Sequence, residues 1–141
     1  MTFRTICERR KLEIFLAAMT TGFGAWLLFP SEAMRSPALT HARELADEAA
    51  WGAMFLTTGL AHCAWLAVNG ARWWSPILRF WASFGSACLY LIWAASIAAF
   101  DPASTGVFTY TALSAGAVAC CVFAWRDAIT AVRIRRASFD C

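Results

Sequence analysis

From Phe80 to Phe100 the chain contains no Asp, Glu, Lys or Arg. At about 1.5 Å per residue, a helical run of this length reaches about 30 Å, the thickness of a bilayer's hydrocarbon core. Three further stretches match it or come close: Leu12 to Phe29, Ala49 to Val68 and Val107 to Trp125. Only the first holds a charged residue, Glu13 at its entry. Runs this continuous predict spanning helices, because barrel strands would alternate polar and apolar residues at every second position. The predicted fold class is all-α, an integral membrane bundle of four transmembrane helices over residues 12–29, 49–68, 80–100 and 107–125.

Composition points the same way. Hydrophobic residues make up 60% of the 141 and charged residues 15%; soluble domains average about 45–50% and 25%. A small soluble globule could not bury that much apolar surface, and disordered chains are poor in such residues. A net charge of +3 is too small to imply nucleic acid as a partner.

Orientation follows from where the cations fall. Arg4, Arg9, Arg10 and Lys11 precede the first span, Arg72 and Arg79 lie between the second and third, and Arg126, Arg133, Arg135 and Arg136 follow the fourth. The opposite side carries only Arg35 and Arg43, together with Glu32, Glu44, Asp47, Glu48 and Asp101. Both termini are expected in the cytoplasm of a bacterium, with the bundle in its inner membrane. The basic inner side is expected to attract anionic lipids. A cleaved signal peptide competes for the first span, with Ser31-Glu32-Ala33 as its cleavage site, but the apolar stretch exceeds the usual signal core.

Most of the aromatic residues fall near the predicted interfaces. Trp26, Phe29, Trp51, Phe100, Phe108 and Tyr110 mark the outer one, and Phe15, Trp65, Trp73, Trp74, Trp81 and Trp125 the inner one. Trp93 lies deeper, and packing between helices is expected for it. In the first outer loop, Ser36-Pro37 is a helix-start pair, so a helix is expected from there into the second span, with Arg43 and Asp47 paired on it. Asp101-Pro102 is expected to start the fourth helix in the same way.

Chemistry-bearing residues are few. His62 lies inside the second span, where a polar side chain is a functional candidate by default. Its alternative role is structural, bonding Thr57, Thr58, Ser83, Ser86, Thr111 or Ser114. No second His lies at membrane depth to complete a haem site, and no Cys pair has the C-x-x-C spacing of a metal or redox site. No nucleophile set, phosphate loop or carboxylate pair is recognisable. No enzyme activity, cofactor or metal is therefore expected. Glu13 and the chain length resemble small four-helix multidrug transporters, which exchange protons for cations on a first-helix carboxylate. However, Glu13 lies at the interface within reach of Arg9, Arg10 or Lys11.

The strongest pattern is a stripe of small residues, Ala112, Gly116, Cys120 and Ala124, at four-residue spacing on the fourth helix. Gly52, Gly59 and Cys63 supply small residues on the second helix, and Ala94, Ala95, Ala98 and Ala99 on the third. Small residues let helices approach closely in lipid, either within one bundle or between copies.

The opening Glu8-Arg9-Arg10-Lys11-Leu12-Glu13, running straight into a span, and the connection Asp101-Pro102-Ala103-Ser104-Thr105 give the chain a resemblance. It is similar to small four-helix membrane proteins of tailed phages and prophages of proteobacteria. That resemblance implies an inner-membrane bundle, with holin-like permeabilisation as a possible role. The expected function is non-catalytic, as a self-associating protein or as an accessory subunit of a larger membrane complex. The alternative is a small proton-coupled transporter using Glu13 or His62.

Overall fold

A computed structural model describes residues 3–29, 33–68 and 74–137, with side chains placed from Arg10 to Arg133 within these ranges except at Ala33. Ser31-Glu32, the Asn69-Gly70 turn with Arg72 and Trp73, and the side chains of Arg4, Arg9, Arg135 and Arg136 lie outside the description. Among the described residues all regular structure is helical: α1 (Phe3–Leu28), two 3-10 turns (Ala33–Arg35 and Pro37–Leu39), α2 (Thr40–Leu45), α3 (Glu48–Ala67), α4 (Ser75–Phe100) and α5 (Thr105–Ala137).

The helix expected from Ser36-Pro37 into the second span is broken. Ser36 is extended ahead of Pro37, as the proline ring requires of its predecessor, and a single 3-10 turn leads into α2. Ala46 then turns extended, and Asp47 caps α3 by accepting a hydrogen bond from the Ala50 N–H at 2.7 Å. A short carboxylate side chain satisfies an orphan N–H better than it serves a helix interior. Asp47 is therefore a cap, and Arg43 and Asp47 do not share a helix. At the other outer connection, Asp101 ends α4 in an extended conformation. Its Oδ1 accepts from Ala103 N, Ser104 Oγ accepts from Gly106 N, and α5 starts at Thr105 instead of at Pro102.

Contacts along the helices fix their relative directions. Leu28, Gly24 and Thr21 of α1 meet Gly52, Leu56 and Gly59 of α3 in that order, so these two run antiparallel. Phe55 and Trp51 of α3 pack against Tyr90 and Trp93 of α4, again antiparallel. On α5, Ser114 donates to the Ala87 carbonyl and Cys121 to that of Phe80, so α4 and α5 are antiparallel too. α1 and α4 advance together: Glu13 meets Arg79 and, one helical stretch later, Thr20 meets Tyr90. The four long helices thus alternate up, down, up, down.

Three of them are long and apolar enough to cross a membrane, over Arg10–Leu28, Ser75–Phe100 and Thr105–Arg133. α3 has 20 residues but carries Gly52, Thr57, Thr58, Gly59 and His62, which lower its hydropathy.

Candidate functional site: a buried polar column

α4 carries one charged residue, Arg79, and places it on the face that looks into the bundle. Continuing along that face are Ser83, Ser86, Tyr90 and Trp93, all buried, at the three- and four-residue steps that keep side chains on one side of a helix. Each polar group on the stripe has an answer from another helix or from its own backbone, except the Trp93 indole N–H, which is buried without a hydrogen-bond partner among the described residues.

The lowest rung is ionic. Arg79 Nε donates to Glu13 Oε2 at 2.9 Å and Nη2 to Oε1 at 2.6 Å, a two-pronged grip with both side chains at most 4% exposed. Nη1 also reaches Asp127 Oδ2 on α5 at 3.4 Å, where the carboxylate is half exposed. One guanidinium thereby ties α1, α4 and α5. Its planar fork matches a carboxylate, and burial makes such a pair strong but intolerant of losing either member. Glu13, expected beside the flanking cations of its own helix, is instead buried and paired across the bundle.

One turn along α4, Ser83 Oγ lies 3.5 Å from Nε2 of His62, at the long end of hydrogen-bond range. Ser83 is one of the partners the sequence allowed. His62 is 1% exposed and its Nδ1 has no hydrogen-bond partner. Ser86 donates to the Ala82 carbonyl of its own helix. Next, Thr20 Oγ1 lies 3.2 Å from the Tyr90 hydroxyl and donates to the Leu16 carbonyl at 2.8 Å.

Above Tyr90 the column becomes aromatic. Phe23 sits edge-on to both Phe55 and Trp93 with ring centroids 4.9 Å apart, and Trp51 and Tyr110 close the cluster. Edge-to-face pairs of this kind add about 0.5–1.5 kcal/mol beyond burial. Trp93 packs between helices as its depth implied, whereas Trp51, expected at the outer interface, is buried and donates from Nε1 to the Ala42 carbonyl at 2.8 Å. Ser96 Oγ accepts from the Ala42 N–H at 3.0 Å. Both backbone groups of Ala42 are thus held by side chains of α3 and α4, and α2 is fastened over the end of the bundle.

The stripe on α5 divides. Cys120 and Ala124 are fully buried, Gly116 is half-buried facing Leu16 of α1, and Ala112 is exposed. The tightest helix approach lies elsewhere, between α1 and α3. A Cβ built on Gly24 would stand 2.7 Å from Leu56 Cα, and one on Gly59 would stand 2.8 Å from Thr21 Cα. Gly59 belongs to the small residues noted on the second span; Gly24, its counterpart on α1, was not singled out. Among the described residues no group of three or more His, Cys, Asp or Glu side chains is arranged to hold a metal ion.

Comparison with protein-family models, with curated proteins and with solved structures found no match to this chain.

Proposed function

We propose that the chain is a non-catalytic integral protein of the bacterial inner membrane, spanning it four times with both termini in the cytoplasm. In this reading it acts by association of its outer surface with further copies of itself, in the manner of a phage holin, or with a larger membrane complex. The observation that carries it is the parallel course of α1 and α4, marked by Glu13 with Arg79 and Thr20 with Tyr90. Two parallel spans need a return crossing between them, and α3 is the long helix available for it. α3 supports its own low hydropathy by turning Gly52, Gly59 and His62 inward.

The distribution of side chains supports the same reading. Glu13, Arg79, His62 and Ser83 are buried, while Phe15, Trp26, Trp81, Leu91, Phe108 and Trp125 are about half exposed or more. This inversion suits lipid, where exposed apolar groups are at no disadvantage and buried polar groups must find one another. Residues 112–124 of α5 leave Val118 and Val122 facing outward.

The test is membrane potential and ion leakage in cells on induced expression, against an unrelated four-helix membrane protein at matched level. Depolarisation beyond the control is expected. An unchanged potential overturns the permeabilising form and leaves the accessory subunit, to be sought by pull-down.

The unpartnered Nδ1 of His62 at membrane depth favours a second reading, a proton-coupled transporter. That reading requires Glu13→Gln and His62→Ala to abolish cation efflux while the folded protein persists. Glu13 speaks for the first reading, because both its oxygens are occupied by Arg79.

A further inference from the structure

We propose that the groove between α4 and α5 is a binding site for one anionic phospholipid of the cytoplasmic leaflet. An acyl chain lies along Phe80 and Val118, and the headgroup phosphate lies on Arg126 and Arg133. The proposal rests on the reading that α4 and α5 cross the membrane with their Arg126 end in the cytoplasm.

Two hollows meet at Trp125. The first, about 350 Å³, lies between Phe80 of α4 and Val118, Cys121 and Val122 of α5, with Arg126 at its rim. The second, about 360 Å³, continues past Ile77, Ile129 and Val132 to Arg133. From Val118 to Arg133 the helix rises about 22 Å. That matches about 15 Å of hydrocarbon in one leaflet plus about 5–7 Å of headgroup layer.

The deep hollow is lined by apolar side chains, Trp125 stands 55% exposed where the two hollows meet with Arg126 beside it, and Arg133 closes the far end beyond Ile129 and Val132. A tryptophan at that level keeps its ring in the chain region and its N–H among the headgroups. Arg126 and Arg133 are seven residues apart, two turns on the same side of the helix, and both are exposed. Neither makes a salt bridge among the described residues, in contrast to Arg79. Two guanidiniums without a salt bridge among the described residues, one at the middle and one at the end of an apolar groove, select negative charge, whereas a second copy of this chain packed face to face would bring the same cations against them. Each cation near an anionic surface favours the bound lipid about fivefold.

The experiment uses the full chain in phosphatidylcholine vesicles doped, at equal mole fraction, with phosphatidylglycerol or phosphatidylcholine brominated on the acyl chain. The quenching of Trp125 is read as the difference between the wild type and Trp125→Phe. Stronger quenching of Trp125 by the brominated phosphatidylglycerol, severalfold over the phosphatidylcholine, is expected. The double variant Arg126→Gln with Arg133→Gln should bring the two to equality, and Arg126→Lys with Arg133→Lys should retain the preference. Equal quenching in the wild type would reduce the groove to ordinary boundary lipid and overturn the proposal. So would a preference that survives the double Gln variant. Protection of Trp125 from both lipids, while other tryptophans are quenched, would assign the face to a second copy. If no tryptophan is quenched by either lipid, the membrane reading itself fails, an outcome distinct from the other three.

Discussion

The indole N–H of Trp51 binds the carbonyl of Ala42 at 2.8 Å across the break between α2 and α3, so the first residues of α3 reach back to hold the segment before them. Ser96 completes the hold on the Ala42 N–H. Trp51→Phe keeps an aromatic ring and removes the donor; because the Ala42 carbonyl still accepts from the Ala46 N–H at 3.2 Å, loss of the hydrogen bond itself should cost about 0.5–1.5 kcal/mol. Ser96→Ala should instead speed hydrogen exchange at the Ala42 amide while leaving the α1–α3 contact protected. Thermal unfolding in detergent and exchange mass spectrometry check the two separately.

Removing Arg79 strands Glu13 as a buried charge, whereas removing Glu13 leaves Arg79 the half-exposed Asp127 at 3.4 Å. Arg79→Gln should destabilise by about 3–5 kcal/mol and Glu13→Gln by less. Their combination should cost clearly less than the sum, since neither charge is then left alone. Arg79→Lys should rescue little, because an ammonium cannot grip both carboxylate oxygens in the plane. A double-mutant cycle on unfolding in mixed micelles measures the coupling, and additivity would dissolve the pair.

Three glycines of α1 and α3 separate packing from propensity. Gly24→Ala and Gly59→Ala would drive a methyl into the facing backbone and should loosen the bundle by several kcal/mol, on the order of a severe overpacking. Gly22 has nothing within 4 Å of its Cβ position. Gly22→Ala should therefore stabilise by about 0.5–1 kcal/mol through helix propensity alone. The melting temperatures of the three variants, compared side by side, decide it.

Gly116 sits between those extremes. A Cβ there would meet Leu16 at an ordinary 3.5 Å, so Gly116→Ala should be nearly neutral. Gly116→Leu should displace Leu16 and lower stability while leaving the size of any assembly unchanged. A change of assembly size without loss of stability, seen by size-exclusion chromatography with light scattering, would move this face to the outside of the bundle.

Much of the architecture was legible because it depends on local runs. The long apolar stretches around residues 12–29, 80–100 and 107–125 reappear as helices, and the depth of Trp93 in its run anticipated its burial. The helix ends were harder. Asp47 and Asp101 each had two uses, as helix interior or start and as cap, and only the backbone direction of Ala46 and of the chain after Phe100 chose between them. The central pair escaped because its members are 66 positions apart and each had a plausible local role, Glu13 beside its own basic neighbours and Arg79 among the loop cations. A signal was nevertheless present: two apolar stretches, 12–29 and 75–100, each carry a single charge near their start, Glu13 and Arg79, of opposite sign. A lone His at membrane depth gave His62 away as polar and buried, but Ser83 could be chosen from its several candidate partners only once α3 and α4 were set side by side.

The distance in sequence between Glu13 and Arg79 also imposes an order on biogenesis. Glu13 leaves the ribosome 66 residues before the guanidinium that neutralises it. At about 5–20 residues per second, that is an interval of about 3–13 s. During it the first helix carries a carboxylate that the bilayer interior disfavours and that nothing yet made can hold in its final grip. The newborn helix must wait at the lipid boundary or in the shelter of the insertion machinery. Its last move inward belongs to the moment when the helix beginning at Ser75 arrives beside it, so the chain is drawn together from its third long helix backward.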